Sequence, residues 1–231
     1  MKTILETDRD FICDINAPCF QNLRQEEAEL VRSGRTQILF RKGDTVTKQG
    51  AFSSYVLFII TGFVKQYLEG TGGKNFNLRV IKPGDFVGLS AVFGGNTFEY
   101  SSTALTDCQV FLIEKEAVSK LVKQNGDFGF SITKRYCDQN TSLLNTVGDL
   151  IFKQMNGRMA ETLLYLDSLR KEKVEIFQLL SRKDLADFAG ISTESAVKLL
   201  KTFEKDGLIE LHEKDILLKN YPALKEISVR G

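Results

Sequence analysis

The sequence lacks several features that mark particular classes of protein. Its 231 residues include no tryptophan, three prolines and one histidine, His212. The low proline content and the 42% hydrophobic residues exclude collagen and disordered chains. The longest apolar runs, such as residues 55–60, are far shorter than the ~20 residues that cross a bilayer. We therefore expect a cytoplasmic protein with no membrane partner.

An excess of charge of one sign is also missing. Lysine and arginine number 31 against 30 aspartates and glutamates, a formal charge of +1. Residues 153–231 alone hold 14 basic and 13 acidic side chains. No broad basic field is available to attract nucleic acid. Binding to DNA would have to depend on a local motif.

Motifs for catalysis and metal binding are absent too. The sequence shows no P-loop, glycine-rich dinucleotide turn, nucleophile elbow or pair of catalytic carboxylates, so we expect no catalytic residues and no enzyme. A cupin-type metal site needs clustered histidines and glutamates, and residues 1–211 contain no histidine. The four cysteines lie in a chain of this size without an export signal, so thiols are expected instead of disulfides.

What the sequence does contain begins with a glycine-punctuated β region at residues 36–113. Short β-rich runs separated by turn residues predict an all-β sandwich or roll. Glycines at 70–73 predict a hairpin tip, and residues 82–85 predict a tight turn. The predicted strands are residues 37–40, 55–60, 63–68, 76–81 and 109–113.

Beyond residue 113 the pattern becomes helical, with a short helix at 116–123 and a long one at 127–155. Side chains along the long helix recur at alternating gaps of four and three, the spacing of a coiled-coil seam. This stripe predicts a dimer interface in which a polar Asn140 sets the register, and packing on its own chain is the open alternative. The predicted dimer residues are Tyr136, Asn140, Leu143, Val147 and Leu150.

The C-terminal segment has the sequence pattern of a helix-turn-helix. Ser181 with Asp184 three residues later predicts a capped helix at 182–189, and Gly190 ends it. Ser192 predicts the cap of a second helix at 193–205. An earlier helix at 159–169 and two short strands, 208–211 and 216–218, complete a winged helix-turn-helix pattern.

These residues carry a resemblance to a known family. Residues 180–195, with Leu199-Leu200 and residues 206–209, closely resemble the winged helix-turn-helix of the Crp/Fnr family of bacterial transcription regulators. Upstream, the turns at 41–44, 49–50, 60–62 and 83–88 are similar to those of that family's effector-binding β-roll.

The resemblance covers nearly the whole chain and implies an α+β fold with three parts. The first is an N-terminal double-stranded β-helix or jelly-roll sensor domain at 1–126. A dimerisation helix at 127–155 follows, and a winged helix-turn-helix DNA-binding domain occupies 156–231.

For the second helix of the motif, the resemblance implies contact with base edges. A glutamate accepts from cytosine N4, and a lysine donates to guanine. Thr193 stands where relatives often have arginine, so a guanine contact worth about 1–3 kcal/mol is missing and we expect a different operator. For each charged residue a solvated helix face is the alternative. The candidate DNA-binding residues are Thr193, Glu194 and Lys198 for bases, Arg182, Ser195 and Lys201 for phosphates, and Ser192 at the helix N-terminus.

The β-roll lacks the polar residues with which cyclic-nucleotide binders of the family hold their effector. Cyclic-nucleotide binders of the family use a Gly-Glu pair and an Arg-Ser or Arg-Thr pair, whereas the matching residues here are Gly88-Leu89 and Phe98-Glu99. Residues 83–113 hold three acids and no lysine or arginine, so a buried phosphate would be repelled by several kcal/mol, roughly. We do not expect cyclic AMP in the usual pose; the effector is unknown. The candidate pocket comprises Gly88, Leu89, Ser90, Phe98, Glu99, Tyr100 and Ser101.

An iron-sulfur cluster is a second hypothesis for the signal. Cys13, Cys19 and Cys108 resemble three ligands of the Fnr branch, but Asp10 stands where the fourth cysteine would lie. Because four thiolates are usual, the cluster is disfavoured against a buried, structural Cys108. Haem is poorly supported, since His212 lies in the predicted wing.

The sequence therefore predicts a sequence-specific transcription regulator. It would be a homodimer that binds double-stranded DNA at a pseudo-palindromic operator, with a β-roll that senses a signal and repositions the recognition helices. The resemblance also implies RNA polymerase as a partner. The alternative outside this class is an interaction module whose helix-turn-helix binds protein, and salt dependence separates the two.

Overall fold

A computed structural model describes residues 2–3, 20, 23–172 and 174–231. Contacts divide the chain into two compact units. The first unit comprises Met1–Glu69 and Arg79–Thr141, and the second comprises Gly70–Leu78 and Ser142–Gly231. A β-rich N-terminal part, a long helix and a C-terminal helix-turn-helix confirm the predicted fold class. Each helix that the structure describes is too short or too polar to span a bilayer.

The β-rich part consists of two sheets. The elements are β1 (Lys2–Thr3), α1 (Gln25–Ser33), β2 (Arg35–Phe40), β3 (Thr45–Thr47), β4 (Tyr55–Thr61), β5 (Val64–Glu69), β6 (Asn75–Ile81), β7 (Phe86–Val87), β8 (Ser101–Ala104) and β9 (Cys108–Glu114). The first sheet has the strand order β1-β2-β9-β4-β7 and the second β3-β8-β5-β6. All five predicted strands are confirmed, whereas β1, β3, β7 and β8 were not predicted because runs of two to four residues show no clear alternation. Helix α1 was not predicted either.

Strand β4, which lies between β9 and β7, is buried on both faces, which explains its continuous apolar run. Successive side chains of a strand point to opposite faces, and Phe58 accordingly joins one hydrophobic cluster while Ile59 joins another. Phe58 is paired in register with Phe111 of β9. Cys108 and Val110 of β9 belong to the cluster of Ile59. The first cluster is shared with the helices, and the second lies inside the roll.

Two helices follow the roll, α2 (Lys115–Gln124) and α3 (Gly126–Phe152). The long helix was predicted to reach residue 155, but it ends at Phe152, and Gln154 has extended backbone angles. Arg158 from the next helix donates to the carbonyl oxygens of Leu150 and Lys153. The guanidinium thus satisfies acceptors that a helix terminus leaves open, which stabilises the break.

The remaining elements form the helical second unit. The helices α6 and α7 have the predicted bounds, and the two wing strands were predicted to within about two residues, the usual uncertainty of element ends. Helices α5 and α8 were not predicted, although Asn220 caps α8 by accepting from the amide of Ala223. The elements are α4 (Met155–Ser168), α5 (Ile176–Leu179), α6 (Arg182–Ala189), α7 (Thr193–Lys205), β10 (Ile209–His212), β11 (Asp215–Leu218) and α8 (Tyr221–Arg230).

Candidate functional site

The helix-turn-helix is held by two serine caps. Ser181 Oγ accepts from the Asp184 amide at 3.1 Å, and the Asp184 carboxylate accepts from the Ser181 amide at 2.8 Å. This reciprocal pair is a capping box. Gly190 ends α6 with φ of +62°, a left-handed conformation that favours glycine. Ser192 Oγ then accepts from the Ser195 amide at 3.1 Å and begins α7.

Helix α7 divides into a buried face and an exposed face. Ala196, Leu200 and Phe203 are buried in the second unit. Residues three or four apart share one side of a helix. A second set, at positions 194, 198 and 201 together with the adjacent Thr193, faces solvent. Among the described residues, no ion pair involves the charged members of this set. Its members are Thr193, Glu194, Lys198 and Lys201.

Two predicted DNA contacts are less exposed than these. Ser195 is half-buried, and its hydroxyl accepts a hydrogen bond from Ser192 Oγ at 3.0 Å. Arg182 is also half-buried, and this burial lowers the pKa of its guanidinium against the opposing effect of Glu204. Ser195 therefore acts first as part of the helix cap, while Arg182 keeps a partly exposed charge beside the start of α6.

The wing adds charged residues that the sequence analysis did not select. Strands β10 and β11 pair antiparallel, with His212 opposite Asp215 at the tip. Lys219 and His212 both pair with Glu210, and the Lys219 hydrogen bond lowers the pKa of that carboxyl group. Lys214 is exposed in the turn between the strands. Its position in the predicted wing loop was a sufficient reason to include it.

A network around Arg170 holds the wing to the helices. The guanidinium lies 3.0 Å from the Asp167 carboxylate and 2.7 Å from that of Asp215, and it also pairs with Glu175. The phenol of Tyr221 donates to Asp167, and burial together with that bond raises the pKa of Tyr221 to about 12. Asp215 and Tyr221 are far in sequence from Arg170 and Asp167, so no local pattern indicated these contacts.

In the first unit, three of the predicted pocket residues lie together. Gly88 has φ of +77°, and a Cβ atom at this position would lie 2.6 Å from Cε1 of Phe98. The Gly88 amide donates to the Tyr100 hydroxyl at 2.8 Å, and burial raises the pKa of that phenol. The Phe98 ring and the Tyr100 phenol therefore occupy the space beside the Gly88 turn.

The other predicted pocket residues are dispersed. Leu89 belongs to the cluster shared with the helices, whereas Phe98 and Tyr100 pack against the cluster inside the roll. Ser101 is fully buried, and its hydroxyl donates to Glu69 at 2.5 Å and accepts from the Gln49 amide at 2.9 Å. Ser90 is half-buried and Glu99 is exposed. The structure thus places only Gly88, Phe98 and Tyr100 around one point.

Two arginines lie near this region although none occurs between residues 83 and 113. Arg79 of β6 donates to Gln66 at 2.8 Å and lies 3.7 Å from the Asp85 carboxylate. Arg135 of α3 donates to the Gly84 carbonyl at 3.0 Å and lies 3.4 Å from the same carboxylate. A count along the sequence missed these cations because they belong to other elements.

The structure describes two of the four cysteines, Cys108 and Cys137. Cys108 is fully buried, and its sulfur lies within 3.4 Å of the carbonyl oxygens of Phe63 and Thr106. Burial raises the pKa of the thiol. Cys13 and Cys19 lie outside the described residues, while Cys137 is exposed. Within the ranges that the structure covers, no group of three or more histidine, cysteine, aspartate or glutamate residues could hold a metal ion.

The predicted stripe on α3 is exposed, as an interface would require. Tyr136 is 48% exposed and Asn140 also faces solvent. The apolar surface extends beyond the predicted set to Phe152, which is 84% exposed. Large exposed apolar side chains on a folded chain are typical of interaction surfaces. The other exposed apolar residues of the helix are Phe130, Leu143, Leu144, Val147, Leu150 and Ile151.

Two family models match the chain. One describes a cyclic nucleotide-binding domain and matches residues 37–125. The other describes a Crp-like helix-turn-helix domain and matches residues 157–227.

Curated relatives and solved structures cover most of the chain. The cAMP-activated global transcriptional regulator CRP of Salmonella typhimurium is 27% identical over 180 residues, which cover 75% of this chain and 85% of the relative. A CRP-like cAMP-activated global transcriptional regulator of Mycobacterium tuberculosis is 23% identical, with coverages of 90% and 95%.

Among solved structures, a Crp/Fnr-family regulator from Eubacterium rectale has a TM-score of 0.75 at 17% identity, covering 92% of this chain and 98% of its own. FixK2 from Bradyrhizobium japonicum has a TM-score of 0.74 at 21% identity, with coverages of 85% and 98%. At these identities the structures support the fold.

Proposed function

We propose, since this chain belongs to the Crp/Fnr family of transcription regulators, that it binds a pseudo-palindromic operator as a homodimer whose β-roll receives the regulatory signal. The chain is a DNA-binding transcription regulator and not an enzyme. The homodimer, the operator and the signal are the proposal. It acts in the cytoplasm on promoters used by RNA polymerase.

The exposed face of α7 is the single observation that carries the DNA contacts. Glu194 and Lys198 are four residues apart and face solvent beside the capped N-terminus, a position from which a recognition helix reaches base edges in the major groove. The glutamate would accept from cytosine N4 and the lysine would donate to guanine O6 or N7. Thr193 would contact a base with its shorter side chain. Lys201 and Arg182 would contact phosphates.

Selection from random duplexes tests this assignment. We expect the wild type to select two inverted half-sites, because a two-fold symmetric dimer presents two α7 helices about 34 Å apart. Glu194→Ala should relax the preference at one base pair of each half-site and leave folding intact. Glu226→Ala on α8, where Glu226 is exposed and pairs with Arg230, is the matched control. An unchanged motif for Glu194→Ala would contradict the assignment.

Salt dependence separates this function from a protein-binding module. Phosphate contacts release counterions, so the logarithm of the DNA affinity should fall steeply and linearly with the logarithm of salt concentration. An apolar interface made by the same helices would show little change. A flat salt dependence would favour the interaction module.

The dimer part of the proposal depends on the exposed stripe of α3. Leu143 and Val147 are almost half exposed, and a matching stripe on a second copy would cover them. Leu143→Asp with Val147→Asp should yield a monomer in equilibrium sedimentation. Lys134→Asp, at an exposed position off the stripe, should leave the dimer intact. A monomeric wild type at micromolar concentration would overturn the dimer.

For the signal, we propose an effector other than cyclic AMP in the usual pose. Leu89 replaces the ribose-binding glutamate of the cyclic-nucleotide binders and is buried, and the Phe98 ring lies against Gly88. We therefore expect cyclic AMP to leave the operator affinity unchanged in fluorescence anisotropy. The relatives from Salmonella typhimurium and Mycobacterium tuberculosis are described as cAMP-activated, so either can serve as the positive control. A response to cyclic AMP would refute this part.

We also propose that no iron-sulfur cluster is required. A buried Cys108 thiol with a raised pKa is a poor thiolate ligand, because ligation needs the deprotonated sulfur. Anaerobically purified protein should contain no stoichiometric iron or sulfide and should bind the operator. Iron and sulfide that are lost on Cys108→Ser, together with DNA binding, would support the redox sensor instead.

A further inference from the structure

We propose that the second unit contains a binding site for a small organic cation with a primary ammonium group. The site is a cavity of about 200 Å³, far above the roughly 10–15 Å³ that a single water needs. Segments 76–78 and 142–150 and helices α4 and α6 form its walls, and all of them belong to the second unit. The inference concerns ligand binding and does not depend on the proposed operator.

A buried acceptor in the cavity wall calls for a donor. Asn77 is 1% exposed and lines the cavity. Its Nδ2 donates to the Asp184 carbonyl at 2.9 Å, whereas its Oδ1 accepts no hydrogen bond from the described residues. A buried acceptor without a donor is costly. An N–H group of a ligand would supply the missing hydrogen bond.

The two carboxylates at the cavity favour a cation. Asp149 and Glu161 both line it, and Lys153 serves both carboxylates at 2.8 and 3.3 Å. Arg158 lines the cavity as well, but its guanidinium donates to backbone carbonyls, among them that of Ala189 at 2.9 Å. Two carboxylates thus share one ammonium group. A ligand ammonium would provide the second.

The remaining wall is apolar and aromatic, so the ligand needs an apolar part. Phe76, Leu150, Tyr165 and Phe188 line the cavity, and the rings of Tyr165 and Phe188 have centroids 6.1 Å apart. Aromatic faces also attract cations. 2-Phenylethylamine combines an ammonium group with an aromatic body of suitable size, and it is the probe that we choose.

Ligand binding here would contact residues that position the helix-turn-helix. Asn77 holds the Asp184 carbonyl of α6, and Arg158 holds the Ala189 carbonyl just before the turn. Arg158 also donates to Leu150 at the end of α3. A cation in the cavity therefore lies against the bonds that join α6 to α3. This would make the cavity a ligand site separate from the Gly88 region of the first unit.

Calorimetric titration of the full-length protein tests the proposal. 2-Phenylethylamine should bind with a Kd of about 1 mM or lower, near −4 kcal/mol. 2-Phenylethanol, which has the same body without the charge, should bind about tenfold more weakly or worse. Asp149→Asn and Glu161→Gln should each weaken amine binding by about tenfold. Glu226→Gln on α8, exposed and paired with Arg230, should leave binding unchanged.

Circular dichroism keeps the result interpretable. Each variant should retain the helical spectrum of the wild type, and two carboxylate variants are used so that one misfolded protein does not decide the outcome. No saturable binding of the amine to folded wild type would overturn the proposal. Equal binding of amine and alcohol, or unchanged binding by both folded carboxylate variants, would overturn it as well, because the contact would then be only apolar.

Discussion

The predicted site residues around Gly88 are packed by protein groups, whereas those on α7 face solvent. Around Gly88 the structure is closed, because the Phe98 ring and the Tyr100 phenol occupy the space beside the turn. On α7, Glu194 and Lys198 face solvent. In the proposed function, an effector that binds beside Gly88 would have to displace these protein groups, whereas DNA would only add contacts to α7.

The largest expected effect is a loss of stability at the closed Gly88 turn. Gly88→Ala combines a left-handed backbone strain of about 1–2 kcal/mol with overpacking against Phe98 of about 1–3 kcal/mol. We expect a loss of about 2–5 kcal/mol of unfolding free energy in urea titrations. Gly84→Ala is the control, since its φ of +89° carries the strain but no atom lies within 4 Å. Equal losses would mean that the Phe98 contact is unimportant.

The exposed face of α7 is tested by removing one of its cations. Lys198→Ala should weaken binding to the selected operator by about 1–3 kcal/mol, the value of a good base contact. Lys205→Ala, exposed at the far end of the same helix, should change the affinity much less. Fluorescence anisotropy at one fixed salt concentration measures both. A smaller effect for Lys198→Ala than for Lys205→Ala would place the groove contact elsewhere on the helix.

A smaller effect is expected at the cap that positions α7. Ser192→Ala removes the acceptor of the Ser195 amide and should lower the unfolding free energy by about 1 kcal/mol. Ser192→Gly should cost only a few tenths of a kcal/mol, roughly, because glycine is tolerated at this position. Thermal unfolding of both variants gives the difference. Identical midpoints would show that the hydroxyl does not stabilise the helix.

The smallest effect concerns the support of the wing and appears only at alkaline pH. The pKa of Tyr221 is about 12, above the value of about 10 for an unfolded chain. Since the folded state favours the protonated phenol, its stabilisation is complete below about pH 10 and is lost as the pH rises toward 12. Tyr221→Phe should therefore lack this alkaline loss in urea titrations at successive pH values. A parallel loss in wild type and variant would contradict the assignment.

Sequence reasoning succeeded best where the determinants are local. The bounds of α6 and α7 were predicted because Ser181, Asp184, Gly190 and Ser192 act within one turn of the residues they cap. Strands β4 and β9 were predicted from their apolar runs. Short strands such as β7, with two residues, carry too little pattern to be recognised.

Sequence reasoning was weaker where partners are distant. The predicted effector set divides between two hydrophobic clusters, with Leu89 in one and Phe98 in the other. Arg79 and Arg135 lie outside the segment in which cations were counted, although both lie near Asp85. The Arg170 network joins residues 45 positions apart. Such contacts depend on how the chain folds, and the spacing of residues along the sequence does not reveal them.

By itself, the sequence determined the class of protein, the two capped helices of the DNA-reading motif and the absence of a basic field, because composition and caps act locally. The tertiary structure decided which side chains are available. It placed Phe98 and Tyr100 beside Gly88, turned Glu194 and Lys198 toward solvent, and left the Asn77 Oδ1 atom without a donor from the described residues. Burial and hydrogen bonding depend on packing between distant segments, so the positions of the closed and open surfaces emerge only in the folded chain.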